Sequence, residues 1–232
     1  VLQASGGDGA RHPASSIGTL VHDVVAVLGD DSVPALVAEI DRRWPQLGLP
    51  PGWVNDRKRR EAHDMAGRIV AYADSVRGTW EAVGAEVNVT VRVGRALLRG
   101  QVDRLERHTE HGAVRVVDYK TGTTKMAHDE VPLHPQLGAY QVAIVEGGFA
   151  EVGSKSAGAA LLYVGSSANK KGPDLRVQPA LSDQAEPRWA HDLIEASAEG
   201  MAAATFSAQP TDQCSRCPVR TSCPAQPDGQ AV

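Results

Sequence analysis

The sequence lacks several features that mark common classes of protein. No apolar run approaches the roughly 20 residues that a membrane-spanning helix needs, and residues 1–7 lack the charged and apolar regions of a secretory signal. No phosphate-cradling G-x-x-x-x-G-K-[ST] loop occurs, so no ATP-driven motor is expected here. No cysteine precedes Cys214. We therefore expect a soluble, cytoplasmic protein, and its 232 residues suffice for a substantial core.

Positive charge is not in excess either. The 24 Lys and Arg residues are outnumbered by 28 Asp and Glu residues, which gives a formal net charge of −4. This balance argues against binding driven by a uniformly basic surface, although acids that ligate metal leave a nucleic-acid enzyme open. Basic residues cluster locally at 57–60 and 170–171. Such clusters occur on solvated helix faces and on DNA-contact surfaces, and both interpretations stay open.

Composition and hydrophobic periodicity divide the chain into three parts. A Gly- and Ser-rich segment, 1–16, is expected to be flexible, a main domain spans 17–206, and a cysteine-bearing tail spans 207–232. Helices are predicted over 17–28, 33–44, 55–76, 132–144 and 186–206, and strands over 85–91, 96–105, 113–119, 157–164 and 175–179. The fold class is therefore α/β, with a helical N-terminal part and a small mixed sheet flanked by helices.

Two local features complete this prediction. Asn55 is a favourable residue type for the N-cap of the third helix. The four tryptophans are predicted to anchor the core rather than to stack on nucleic-acid bases; they are Trp44, Trp53, Trp80 and Trp189.

The most informative stretch is VVDYKTG at 116–122. An apolar strand ends there with Asp118 and Lys120 two residues apart, hence on one face. A short polar loop links it to the preceding GQVDR at 100–104, so Asp103 is expected on the neighbouring antiparallel strand. Carboxylates suit Mg²⁺ and Mn²⁺, and a lysine can contact a phosphate and orient water. The pattern favours metal-assisted phosphodiester cleavage, and the alternative is a strand-end salt bridge between Asp118 and Lys120.

Five sequence blocks in one order resemble the RecB-family nucleases of the PD-(D/E)xK superfamily. The blocks are Gly18–His22, Glu86, Gly100–Arg104, Asp118–Gly122 and Gln136–Tyr140. The resemblance extends from about Ile17 to Cys223 and implies a restriction-endonuclease-like core. It also implies the role of each matched residue: His22, Asp103 and Asp118 as metal ligands, Lys120 as the catalytic lysine, and Gln136 and Tyr140 as residues that shape the site and contact DNA.

Two consequences of this resemblance concern the metal. Because an imidazole at His22 favours transition ions, Mn²⁺ is expected to activate better than Mg²⁺. Glu86 lies in an alternating strand, where it is either a solvated strand residue or, by analogy with the family, a further acid near the metal.

The tail carries all three cysteines, Cys214, Cys217 and Cys223. Their close spacing favours a metal over a disulfide. A [4Fe–4S] cluster takes four Cys ligands, and some RecB-family nucleases hold one with three Cys after the nuclease core and a fourth upstream. We expect that the fourth ligand precedes the first residue of this chain, and that this chain alone binds the cluster poorly. Structural zinc, with a nearby histidine as fourth ligand, is the alternative.

The resemblance implies a metal-dependent deoxyribonuclease, acting as an exonuclease or single-strand endonuclease. The expected context is the nuclease module of an AdnAB- or AddAB-type helicase–nuclease that processes DNA double-strand ends, fed single strands by a motor domain on the same parent chain and paired with a second helicase–nuclease subunit. One alternative is a stand-alone nuclease of the CRISPR-adaptation type. Another is a catalytically inactive nuclease fold that binds DNA or a partner subunit, against which the full set of Asp103, Asp118 and Lys120 argues.

Overall fold

A computed structural model describes residues 13–30, 32–165, 174–204, 208 and 210–225. The described elements are α1 (Pro13–Leu28), α2 (Val33–Arg43), α3 (Trp53–Val76), β1 (Trp80–Val93), β2 (Ala96–His108), β3 (Val114–Lys120), α4 (Pro135–Val145), β4 (Ser156–Tyr163), β5 (Asp174–Gln178) and α5 (Trp189–Ala202). The predicted α/β class is confirmed. Among the described helices, none is long and apolar enough to cross a membrane.

The five strands form one mixed sheet in the order β1-β2-β3-β4-β5. The first three strands pair antiparallel as a meander, β3 pairs parallel with β4, and β4 pairs antiparallel with the edge strand β5. The parallel step requires a long crossover, which α4 supplies. The mixed sheet, the antiparallel core and the position of β5 at the edge are therefore as predicted.

Each face of the sheet carries its own apolar core. Helices α1, α2 and α3 cover one face and pack on Val117 and Leu162. Helices α4 and α5 cover the other face and pack on Val116 and Leu161. Strands β3 and β4 are buried on both faces, which explains their nearly continuous apolar sequences. This sandwich fixes the end of β3, where Asp118 and Lys120 lie.

A buried ionic network joins α3 to the sheet. Glu106 on β2 is fully buried and accepts hydrogen bonds from Tyr72 at 3.0 Å, from Nε of Arg104 at 2.6 Å and from Nε of Arg115 at 2.6 Å. Arg104 also pairs with Asp30 in the loop after α1. Because Arg104 follows Asp103 directly, the network anchors the strand that presents Asp103.

Two local predictions are wrong. The N-cap of α3 is Gly52 rather than Asn55, and Asn55 instead accepts a hydrogen bond from Nε1 of Trp44 at 2.6 Å while its amide donates to the carbonyl oxygen of Leu49. Trp53 is 72% exposed, so it is not a core anchor. In both cases the sequence correctly indicated a helix start nearby but placed it two residues late, and it did not indicate which side chains at that start are exposed.

Several boundaries also differ. Helix α1 begins at Pro13, inside the segment expected to be flexible, and α4 begins at Pro135, after a 3-10 turn over Val131–Leu133. Helix α5 starts at Trp189 and ends at Ala202. Residues 1–12, the basic pair at 170–171 and Phe206 lie outside the described residues.

Candidate active site

Three separate elements bring His22, Glu86 and Asp103 together. Nδ1 of His22 on α1 lies 3.2 Å from Oδ1 of Asp103 on β2 and 3.4 Å from Oε1 of Glu86 on β1. Gly18, one turn before His22, allows α1 to approach the end of β3, because a Cβ atom at this position would lie 2.5 Å from Oγ1 of Thr121. One ligand atom from each of the three residues lies within 4.8 Å of the other two.

Glu86 reaches this cluster from β1, at the position opposite Asp103 on β2. The pairs of Ala85 with Arg104 and of Val87 with Val102 keep one register across this position, and the register shift of the ladder lies between Ala82 and Gly84. Between these pairs, Glu86 adopts a φ of 49°, in the left-handed region that residues with a Cβ atom rarely enter. In this conformation the carboxylate contacts His22, and its side chain is 22% exposed. The interpretation of Glu86 as a solvated strand residue is therefore wrong, and alternation alone carried no signal for this conformation.

A second group of contacts surrounds Asp118. Its Oδ2 atom lies 2.7 Å from Nζ of Lys120, and its Oδ1 atom accepts hydrogen bonds from Nε2 of Gln136 at 2.8 Å and from the hydroxyl of Tyr140 at 3.2 Å. Lys120 also donates to Oε1 of Gln136 at 2.9 Å. Gln136 and Tyr140 therefore face one point from one side of α4, as their spacing predicted. The strand-end salt bridge between Asp118 and Lys120 forms as part of this cluster.

The two groups are neighbours. Oδ2 of Asp103 accepts a hydrogen bond at 2.6 Å from the backbone N–H of Tyr119, the residue that follows Asp118. Burial, and then the charge of Asp103, raise the pKa of Asp118 and likewise the pKa of Glu86. Burial opposes a charge on His22, but the hydrogen bond to Asp103 and the nearby carboxylates outweigh it and raise the pKa of His22. The site therefore concentrates negative charge that a cation would neutralise.

The donor set fits a divalent ion. An imidazole nitrogen and two carboxylate oxygens are ligands for Mn²⁺, and the carboxylates also suit Mg²⁺. Asp118 adds Oδ2, a buried oxygen with no aligned hydrogen bond within the described residues. In the part of the chain that the structure describes, His22, Glu86 and Asp103 are the one group of three such side chains close enough to share an ion. Of the three predicted ligands, His22 and Asp103 meet in this group, whereas Asp118 is not a member of it and Glu86 takes the third place.

Two hollows flank the site. One, of about 310 Å³, is lined by Arg99, Gln101, Gln136 and Tyr140. The other, of about 350 Å³, is lined by Thr121 and Gly122, which follow Lys120, and by basic residues of α3. A further hollow, of about 850 Å³, lies around Trp80 and shares no side chain with the site.

The remaining candidate ligands lie elsewhere. Cys214 lies in a 3-10 turn over Asp212–Arg216, which Cys217 follows, and Cys223 follows a second turn over Arg220–Ser222. Among the described residues their thiols form no group close enough to share an ion. In this arrangement they do not fit a four-iron cluster. Of the other histidines, His63 pairs with Asp41, His191 pairs with Glu146, His134 caps α4, and His108 stacks on His111.

Comparison with known proteins bears on this geometry. A search of curated proteins finds no match to the chain. The model of a protein family described as the PD-(D/E)XK nuclease superfamily matches residues 2–224. The match therefore includes both groups of site residues and the whole sheet.

Proposed function

The chain belongs to the PD-(D/E)XK nuclease superfamily, and on that premise we propose that it is a divalent-metal-dependent nuclease that hydrolyses phosphodiester bonds in DNA. The observation that carries the proposal is the convergence of His22, Glu86 and Asp103 beside the pair of Asp118 and Lys120. A carboxylate–imidazole cluster next to an ammonium suits phosphodiester hydrolysis, because the charge of the phosphate must be neutralised, the water positioned and the leaving oxygen stabilised within one site.

His22, Glu86, Asp103 and Asp118 would hold the ion, with Mn²⁺ preferred to Mg²⁺ because of the imidazole. A bound divalent ion supplies Lewis-acid neutralisation of charge at the scissile phosphate. The β3 backbone contributes by fixing Asp103, since the N–H of Tyr119 occupies one carboxylate oxygen and leaves Oδ1 directed towards His22.

Lys120 would contact the scissile phosphate and orient the attacking water. Its Nζ atom is held between Oδ2 of Asp118 and Oε1 of Gln136, so its position is set before substrate arrives. Tyr140 supports the same arrangement, because its hydroxyl accepts a hydrogen bond from Gln136 at 2.7 Å and donates to Asp118. We assign Gln136 and Tyr140 to shaping the site and contacting DNA.

The catalytic assignment is tested with labelled single-stranded and duplex DNA in Mn²⁺ or in chelator. We expect cleavage by the wild type in Mn²⁺ and none in chelator. Asp118→Ala should abolish cleavage while circular dichroism and DNA binding persist, and the exposed Asp129→Ala should cleave normally. Equal cleavage by the wild type and Asp118→Ala would support the alternative, an inactive fold that binds DNA or a partner subunit.

We further propose, from the resemblance to AdnAB- and AddAB-type subunits, that the domain serves a helicase–nuclease which processes double-strand ends. The net charge of −4 suits a domain that receives single strands from a motor rather than capturing duplex by itself. An antibody against this domain should recover a much larger native chain with ATPase activity. Recovery of a chain near 24.5 kDa without ATPase would instead favour a stand-alone nuclease.

The cysteine tail carries a separate proposal. We expect Cys214, Cys217 and Cys223 to ligate an iron–sulfur cluster only where a fourth cysteine is supplied from outside this chain. After anaerobic purification, iron and sulfide analysis of this chain should show no stable cluster. A stoichiometric four-iron cluster on this chain alone would refute the missing-ligand argument, and stoichiometric zinc would favour a structural zinc site.

A further inference from the structure

Trp53 lies at the start of α3 with 72% of its surface exposed. It lines a hollow of about 370 Å³ together with Leu49, Pro50 and Val54. Val54 is itself 45% exposed. Since tryptophan is highly buried on average, an exposed tryptophan in an apolar hollow indicates a surface that contacts another molecule.

This hollow is connected to the active site. Lys58 lines it and also lines the groove of about 350 Å³ beside the end of β3. Arg57, Arg68, Thr121 and Gly122 line that groove, together with the acids Glu61 and Asp64. Because Thr121 follows Lys120 directly, the two hollows form one path from the proposed reaction centre to Trp53.

The basic residues along the path outnumber its acids, three to two, although the chain as a whole is acidic. Residues 57–60 are all basic; Arg57 and Lys58 line the path, and Arg59 pairs with Asp41. Lys58 makes no ion pair with any residue that the structure describes, and Arg57 makes one exposed pair with Glu61 at 3.1 Å. Such exposed pairs contribute little stability, so a phosphate can replace Glu61 as the partner. Arg68 donates a hydrogen bond to the carbonyl oxygen of Val164 and lies 4.0 Å from Asp64, which is itself exposed.

We propose that this path binds a single strand of DNA that enters or leaves the active site, with phosphates contacting Arg57, Lys58 and Arg68 and a base stacked on Trp53. The proposal rests on the proposed nuclease function. Cationic side chains that follow a groove, combined with an aromatic side chain on which a base stacks, are the usual means of binding single strands without sequence preference.

The dimensions suit a short stretch of nucleic acid. From Trp53 to Arg68, α3 rises about 22 Å at 1.5 Å per residue. That length corresponds to about six nucleotides at the 3.4 Å spacing of one B-form strand, and to fewer when the strand is extended. A base on Trp53 and the phosphate at the reaction centre can therefore belong to one strand.

The neighbouring chemistry favours nucleic acid over a protein partner at Trp53. A protein that docked only on the apolar hollow would gain nothing from a groove lined by Arg57, Lys58 and Arg68. Lys58 lines both the groove and the hollow that contains Trp53, and the groove reaches Thr121, the residue after Lys120. A single strand of DNA uses every part of that arrangement.

The test measures binding of a labelled oligothymidylate of about 15 nucleotides, within the range of single-strand site sizes, in chelator so that no cleavage occurs. Trp53→Ala should bind about 5- to 150-fold more weakly, the loss typical of one stacked base. Trp53→Phe should retain most of the affinity, because phenylalanine also stacks, and should remove the quenching of tryptophan fluorescence by the oligonucleotide. Lys58→Ala should lower the slope of log K against log salt by about 0.7, the value for one phosphate contact on a single strand.

Matched control variants lie away from the path. Met201 is 71% exposed on α5, which packs on the opposite face of the sheet, so Met201→Ala removes a similarly exposed apolar side chain. Lys155 precedes β4 at the end of the sheet opposite Lys120, so Lys155→Ala makes the same charge change as Lys58→Ala. Both should bind as the wild type does.

The outcomes separate this inference from the proposed function. Wild-type affinity in both Trp53→Ala and Lys58→Ala, with normal circular dichroism, would overturn the path and favour a protein-docking surface, even if the enzyme cleaves DNA. Loss of affinity confined to these two variants and absent from the controls would support the path. If the wild type binds in that way but never cleaves in Mn²⁺, the path is retained and the nuclease assignment fails.

Discussion

Nδ1 of His22 lies 3.4 Å from Oε1 of Glu86, and the contact depends on an unfavourable backbone conformation at Glu86. A left-handed conformation costs a residue with a Cβ atom roughly 1–2 kcal/mol. Strain of this kind persists where the surroundings determine the position and tends to occur at functional sites. Here it places a third ligand group beside His22 and Asp103.

Glu86→Gly should therefore separate stability from metal binding. Glycine adopts a φ of 49° without strain, so the free energy of unfolding in urea should stay equal or rise by up to about 1 kcal/mol. The loss of the carboxylate should weaken Mn²⁺ binding at least tenfold in calorimetric titration.

A glycine elsewhere on the same strand provides the comparison. Asn88→Gly on β1 should destabilise the protein by about 0.5–1 kcal/mol, because glycine gains no relief there, and should leave Mn²⁺ affinity unchanged. If Glu86→Gly were as destabilising as Asn88→Gly and bound Mn²⁺ normally, Glu86 would have no part in the site.

The identity of residue 22 should determine the metal preference. Replacement of the imidazole by a carboxylate in His22→Asp should lower the ratio of Mn²⁺-supported to Mg²⁺-supported cleavage, because oxygen ligands suit Mg²⁺ and nitrogen ligands favour transition ions. Initial rates at matched metal concentrations measure this ratio. The exposed His128→Asp serves as control, and an equal ratio in both variants would remove His22 from the ligand set.

Glu106 should be a major determinant of stability. Glu106→Ala removes the carboxylate that Arg115 pairs with and leaves Arg104 with Asp30 alone, and the expected loss is about 3–5 kcal/mol in the free energy of unfolding. Glu81→Ala removes an exposed pair with Arg107 and should change stability by close to zero. If urea unfolding showed that both substitutions change the free energy of unfolding by a similarly small amount, the proposed contribution of the Glu106 network to stability would be contradicted.

Asp174 should contribute stability that depends on pH. Burial opposes its ionisation, but hydrogen bonds from Arg176 and Lys125 outweigh burial and lower the pKa of Asp174 from 3.8 to about 2. A carboxyl group with a lowered pKa stabilises the folded protein at pH values above the pKa that the group has in the unfolded chain. That contribution is lost as the pH falls from about 4 towards 2.

The measurement is the difference in urea midpoint between the wild type and Asp174→Asn. The difference should be constant near neutral pH and should shrink below about pH 4. The exposed Asp183→Asn should show a much smaller difference. A gap between the wild type and Asp174→Asn that widens as pH falls would contradict the assignment.

The sheet and most helices could be predicted because their apolar residues follow clear periods. The strand ending at Lys120 and the helix carrying Gln136 and Tyr140 were both located within a few residues, since burial on a core determines both. Contacts that depend on backbone irregularity could not be predicted in this way. Glu86 contacts His22 from a left-handed backbone conformation between two regular pairs of the ladder, and no residue pattern indicated that conformation.

Trp53 shows a different limit. The expectation that a tryptophan packs in a core holds for Trp44, which is 6% exposed, but fails at Trp53, nine positions later in the chain. The turn through Pro50 and Pro51 directs α3 so that its first residue faces outward. Residue type alone does not indicate such an exception, because the exposure of Trp53 depends on the direction in which the helix leaves the preceding turn.

The most direct test of the account is the anomalous difference map of a crystal soaked in Mn²⁺. We expect a peak about 2–2.5 Å from Nδ1 of His22 and from carboxylate oxygens of Glu86 and Asp103, with Asp118 adjacent. If crystals soaked at a saturating Mn²⁺ concentration showed no peak there, or a peak that these side chains do not contact, the metal site and with it the proposed hydrolytic function would be contradicted.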